Sequence, residues 1–165
     1  MATTFRHAAG FGRRMEYWLI GKMLRENLDV YVPLVDDFGI DAVIRKAGNS
    51  FIEVQIKARS HDVKLGSAGL FAAIHHPNPR ENYYFVFHSE RLDRTWILSS
   101  EELIAESNQI KNGLNKGLRA IWFNGTKIDK ATRKRTEYAK PRYDKYLDPR
   151  FDRFRVAGAL TITSK

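Results

Sequence analysis

The sequence predicts an α/β fold, a mixed central sheet of about five strands flanked by helices, with a basic C-terminal extension. Three observations predict it. The chain has 165 residues, 43% of them hydrophobic and 12% aromatic, which suits one domain with a sizeable buried core. An apolar stripe of helical period opens the chain. A series of β-branched and aromatic runs, punctuated by turn residues, follows it.

The helix is expected from about Arg13 to Asn27, where Met15, Trp18, Leu19, Met23 and Leu24 recur at three- and four-residue spacing. Glu16 falls at the edge of that stripe. Asp29 to Val35 is strand-like, and Pro33 makes it an edge strand or a bulged one. Asp36-Asp37-Phe38-Gly39 is turn chemistry. Ile40 to Arg45 and Phe51 to Ala58 are two further strands joined by the hairpin-type connection Lys46 to Ser50. In the second of these, Ile52, Val54 and Ile56 share one face, and Glu53, Gln55 and Lys57 share the other. A short apolar segment, Ala68 to His76, stops at Pro77 and Pro79, with His75-His76 read as a helix end. Asn82 to His88 and Thr95 to Ser99 are strands. Ser100 is placed as the N-cap of a short helix through about Ser107, and Arg119 to Phe123 as a last strand.

Composition excludes several function classes. The chain has no cysteine, so a disulfide scaffold, a thiolate zinc site, an iron–sulfur cluster and a cysteine nucleophile are ruled out. No apolar run approaches the roughly 20 residues that span a bilayer. The first residues lack the apolar core of a signal peptide, so the expectation is a cytoplasmic protein without a membrane partner. The net charge of +9 points to a polyanion, most often nucleic acid. From Lys127 to Arg155 there are eleven Lys or Arg against five Asp or Glu, a net +6 interleaved with Tyr138, Tyr143, Tyr146, Phe151 and Phe154. The core is thus expected over 1–126 and a basic aromatic extension of the same domain over 127–165. Lys130, Arg133, Lys134, Arg135, Lys140 and Arg142 are its candidate phosphate contacts, with the aromatics either stacking on bases or anchoring a charged face.

The chemistry-bearing pattern is a helix, a strand and a turn, followed by GID on one strand and QIK on the next. Asp41, Gln55 and Lys57 project where two strands about 4.8 Å apart let them converge. Carboxylate and carbonyl oxygens are the ligands that Mg²⁺ takes. A bound divalent ion can polarise a phosphodiester and acidify water, and a neighbouring lysine can stabilise the charge that builds on phosphate. The same alternation also fits a solvated sheet face, with Asp41 and Lys57 as a cross-strand ion pair. Against that, IDAVI is apolar apart from Asp41, as in a strand covered on both sides, where a carboxylate needs a partner. Glu53 is in phase with the pair and could ligate a second ion or bind Arg45 or Lys46, and the ion pair is the expectation. Asp36 and Asp37 are turn residues near the site mouth. The histidines show no metal-ligand spacing.

From Glu16 to His88, about half the chain, this order of elements and motif resembles the PD-(D/E)xK nuclease superfamily, with its restriction-endonuclease-like fold. The resemblance implies that Asp41 is the metal-binding acid, Gln55 stands at the (D/E) position, and Lys57 is the motif lysine. It implies the Ile56 carbonyl as a further metal ligand, and Glu16 as the acid that many members carry on the first helix. For Glu16, an exposed helix acid is an equal reading. The sequence departs from the pattern in having the neutral Gln55 and in Ile40, where the motif has proline. The implied function is a Mg²⁺- or Mn²⁺-dependent endonuclease acting on DNA, for which a homodimer would be the simplest way to cut both strands. The alternative is a non-catalytic nucleic-acid-binding or interaction module that keeps the nuclease-like fold.

Overall fold

A five-stranded mixed sheet, in the order β1-β2-β3-β5-β6, organises the molecule. The computed structural model describes residues 5–35 and 38–155. Helix α1 (Phe5–Arg25) leads into β1 (Asp29–Tyr31), β2 (Ala42–Arg45), β3 (Phe51–Arg59), β4 (Leu70–Ile74), β5 (Tyr83–Ser89) and β6 (Arg94–Ser99). Helix α2 (Ser100–Glu106), β7 (Asn108–Gln109), β8 (Arg119–Trp122), β9 (Asn124–Ile128) and β10 (Arg135–Ala139) follow. β3 and β5 are parallel, and the other neighbours in the sheet are antiparallel. The crossover between the parallel pair carries β4, which joins β8 and β7 in a separate three-stranded sheet.

The main sheet is covered on both faces, but by different means. Leu19, Ile20 and Met23 of α1 pack on Ala42, Ile44, Val54, Ile56, Val86 and Ile97, and Phe151 and Phe154 close this core from the C-terminal segment. The opposite face presents Tyr83, Phe85, Phe87, Trp96 and Leu98 to Phe71, Ile74, Ile121 and Phe123 of the second sheet, and to Tyr143 and Tyr146. Trp96 stacks on Phe123 with ring centres 4.5 Å apart. The mixed sheet matches the expected fold class, although strands rather than helices form most of the second layer.

Local differences from expectation have physical causes. α1 starts two turns before Arg13, so Glu16 is a mid-helix residue. Gly10 and Gly12 weaken the helical signal there, by about 1 kcal/mol each. Its buried stripe is Met15, Leu19, Ile20 and Met23, while Trp18 and Leu24 are exposed. Pro33 ends β1 early, and β1 is an edge strand as its proline requires. His75 and His76 follow a strand rather than end a helix. Ser99, not Ser100, is the N-cap of α2, and it forms a reciprocal capping box with Glu102.

The basic C-terminal stretch is largely built into the fold. Tyr143, Tyr146, Phe151 and Phe154 are buried, so they anchor the chain instead of stacking on bases. Arg153 grips Glu102 through both nitrogens, at 2.7 and 2.8 Å, and also donates to the Ile97 carbonyl. Arg155 pairs with Glu26, and Arg142 and Lys145 pair with Glu106.

Candidate nuclease-like site

Asp41 lies one residue before β2. Its backbone N–H donates to the Val54 carbonyl at 2.9 Å, and its carboxylate Oδ2 accepts the backbone N–H of Ile56 at 2.6 Å. The peptide groups of β3 alternate in direction. Glu53 donates toward β5, to the Asn82 carbonyl, so Ile56, of opposite parity, turns both its N–H and its C=O toward the β2 side. The carboxylate therefore sits against the backbone of the residue between Gln55 and Lys57. A carboxylate has about four lone-pair positions, so accepting the Ile56 N–H does not by itself prevent it from ligating a cation.

Gln55 and Lys57 project from the face opposite α1, where the second sheet covers β5 and β6 but leaves β3 half-covered. They line a cleft of about 580 Å³ whose other walls include Gly39, His76, Asn78, Arg80 and Tyr83. Gly39 has φ +69°, and a Cβ there would come within 2.5 Å of Gln55 Nε2. The left-handed backbone favours glycine, and any side chain there would also push the Gln55 amide aside. The turn glycine and the motif glutamine are thus fitted to each other.

The structure sets the Asp41 carboxylate on the Ile56 amide, and Gln55 and Lys57, the residues on either side of Ile56, line the cleft. Glu16 belongs to the helix over the other face, is half-buried, and binds Arg13 at 2.8 Å. Glu53 forms an ion pair, but with Arg80 at 2.5 Å, because Arg45 is taken by Asp29. Asp36 and Asp37 lie outside the described residues. Val43 is half-buried, so β2 is less enclosed than its apolar sequence suggests. Among the described residues no three His, Asp or Glu side chains gather as a metal cluster. Any cation here would rely on one carboxylate together with amide and backbone oxygens, a donor set that is all oxygen and suits Mg²⁺ or Mn²⁺.

Four residues of this site carry no sequence signal for their roles. Arg80 and Tyr83 hold the turn before Asp41. Ser100 accepts the Arg80 backbone N–H at 2.7 Å, and His76 Nε2 lies 2.6 Å from the same hydroxyl. The Ser100 hydroxyl joins the Arg80 backbone to the His76 ring, which is neutral at pH 7. Burial, then Arg80, Arg119 and His75, push the His76 imidazole down to about 4.

The candidate phosphate contacts divide into two groups. Lys130, Arg133, Lys134 and Arg135 are exposed at the tip of the β9–β10 hairpin. Lys140 donates to the Trp122 carbonyl at 2.8 Å, and Arg142 binds Glu106 and the Tyr143 hydroxyl, so both serve the fold.

The chain is similar in structure to a bacterial homing endonuclease, I-Ssp6803I, with a TM-score of 0.51 over 82% of this chain and 85% of that one, at 19% sequence identity. The likeness supports a nuclease-like fold. No protein-family model matches the chain, and no curated protein sequence is similar to it. Among the described residues no helix is long and apolar enough to cross a membrane.

The buried His76 makes stability fall with acidification. Above pH ~6.5 His76 is neutral in both folded and unfolded chains. Below that the unfolded chain takes up a proton that the folded chain refuses, until about pH 4. Urea unfolding at pH 7 and pH 5 is expected to show a loss of up to about 2 kcal/mol from this group. His76→Gln should remove most of that loss, and an unchanged pH dependence would contradict the neutral assignment.

Proposed function

We propose that the protein is a Mg²⁺- or Mn²⁺-dependent endonuclease of the PD-(D/E)xK type, in a Gln-x-Lys form, that hydrolyses phosphodiester bonds in DNA. The observation that carries this reading is the Asp41 carboxylate held on the Ile56 amide, between Gln55 and Lys57. The structural likeness to a homing endonuclease supports it at the level of the fold.

Asp41, the Gln55 amide oxygen and the Ile56 carbonyl are the donors for the cation. Bound there, it would lower the pKa of water and polarise a phosphoryl oxygen. Lys57, on the cleft wall, orients the attacking water and stabilises the negative charge that builds on the phosphoryl oxygens as water attacks and the P–O bond to the leaving oxygen breaks. Glu16, on α1 and paired with Arg13 at 2.8 Å, is the further acid that the family resemblance offers as an outer or second ligand. The basic hairpin tip tracks the phosphate backbone and raises affinity without reading sequence.

The neutral amide at position 55 favours one competing reading, a nucleic-acid-binding module that keeps the fold without catalysis. Incubation with plasmid, linear and branched DNA in Mg²⁺ or Mn²⁺ separates the two. Cleavage by the wild type, lost in Asp41→Ala together with metal binding, supports the nuclease. Lys57→Ala should cut at least a hundredfold more slowly while binding DNA nearly as well. DNA binding without cleavage under every condition would favour the module.

The hairpin is tested by salt. Replacing Lys130, Arg133, Lys134 and Arg135 together with Gln should weaken duplex binding and flatten its log–log salt dependence by up to ~3.6, about 0.9 per lost phosphate contact. The hairpin tip is remote from both hydrophobic cores, so the variant should melt near wild type. An unchanged slope would place the binding surface elsewhere.

A further inference from the structure

The segment from Phe38 to Asp41 has to hold a carboxylate in place, yet it leaves an exposed loop and passes through a left-handed glycine. Two residues of the β4–β5 connection and β5 fix it by its backbone. Tyr83, which is buried, donates its hydroxyl to the Gly39 carbonyl at 2.5 Å. Arg80 donates NH1 to the Phe38 carbonyl at 3.0 Å and NH2 to Glu53 Oε2 at 2.5 Å, so one planar guanidinium ties the loop to β3. That guanidinium lies over the Tyr83 ring, 3.8 Å from its centre. The clamp is itself supported. The Arg80 backbone is bound to Ser100, and the His76 ring lies 5.5 Å from Tyr83 and nearly parallel to it.

We propose that Arg80 and Tyr83 are positioning residues, which clamp the Phe38 and Gly39 carbonyls so that Asp41 stays on the Ile56 amide and Gln55 stays against Gly39. Two consecutive carbonyls are held from one side, by donors that β3 and β5 fix in place. The turn therefore cannot swing without breaking both bonds. Arg80 lines the cleft, but Glu53 neutralises it and two of its five N–H donors already bind protein acceptors. It acts through Asp41 and not as a phosphate contact. A lysine, as a point charge, cannot span both acceptors. The consequence for metal binding rests on the nuclease reading; the consequence for the turn does not.

The test uses the full chain with Tyr83→Phe, Arg80→Gln and Arg80→Lys, each checked for a wild-type melting curve. Hydrogen exchange at the Ile56 amide reports the position of the Asp41 carboxylate without any metal. Its protection should fall about tenfold or more in all three variants, while the β5–β6 amides keep theirs. Mn²⁺ titration should show affinity weakened ~10-fold or more, as for other outer partners of metal ligands, with metal-free DNA affinity unchanged. Wild-type Ile56 protection in the variants, or full recovery of protection by Arg80→Lys, would overturn the clamp. A loss of DNA affinity in Arg80→Gln that Arg80→Lys restores would make Arg80 a phosphate contact and also overturn it. If protection falls but the wild type binds no Mn²⁺, the clamp stands and the nuclease reading fails.

Discussion

Asp41 is held where β2 has not yet begun, by a backbone amide of the neighbouring strand, and the rest of the site is arranged around that hydrogen bond. An ionised carboxylate beside a largely apolar strand is costly unless it has donors to meet it. The Ile56 N–H, at 2.6 Å, is one such donor, and the parity of β3 brings the Ile56 carbonyl to the same side. Had β2 started two residues earlier in regular register, a β2 peptide group would have taken the Ile56 amide and the carboxylate would have lost its seat. Close to it, Gly39 packs against the Gln55 amide, and Arg80 and Tyr83 bind the Phe38 and Gly39 carbonyls.

A second constraint is the incomplete cover of the sheet. The first face is sealed by α1 and by Phe151 and Phe154. The second face is sealed only over β5 and β6, where Phe85, Phe87 and Trp96 meet Phe123 and the C-terminal tyrosines. Over β3 the second layer stops, which turns the polar side of one strand into a cleft. The basic C-terminal stretch contributes to both faces through its aromatics. Much of its charge is consumed in ion pairs with Glu26, Glu102 and Glu106, and the exposed surplus collects on the β9–β10 tip.

What could be read from the sequence followed local periodicity. Alternation along FIEVQIKA puts Gln55 and Lys57 on one face whatever surrounds them, and the hairpin connection Lys46 to Ser50 folds the strand that follows Asp41 back beside them. The rest depends on contacts between distant residues. Arg80 meets Glu53 across 27 positions and sits in an irregular loop with no periodic pattern. The start of α1 was hidden by Gly10 and Gly12, whose propensity cost packing overrides. The β9–β10 hairpin was masked by its charge, although Asp129 marks its turn by accepting the backbone N–H groups of Ala131 and Thr132, an arrangement aspartate favours in turns. In the C-terminal stretch, interleaved aromatics read alike as stacking platforms or as anchors, and only burial separates the two.

The central claim is that Asp41, Gln55 and the Ile56 carbonyl form one cation site, and calorimetric titration of Mg²⁺ into the wild type and Gln55→Glu tests it most directly. A carboxylate at position 55 adds a unit charge within a few ångströms of the ion, so Gln55→Glu should bind at least about tenfold more tightly after desolvation is subtracted. Equal affinities in the two proteins, or binding by neither, would contradict the account.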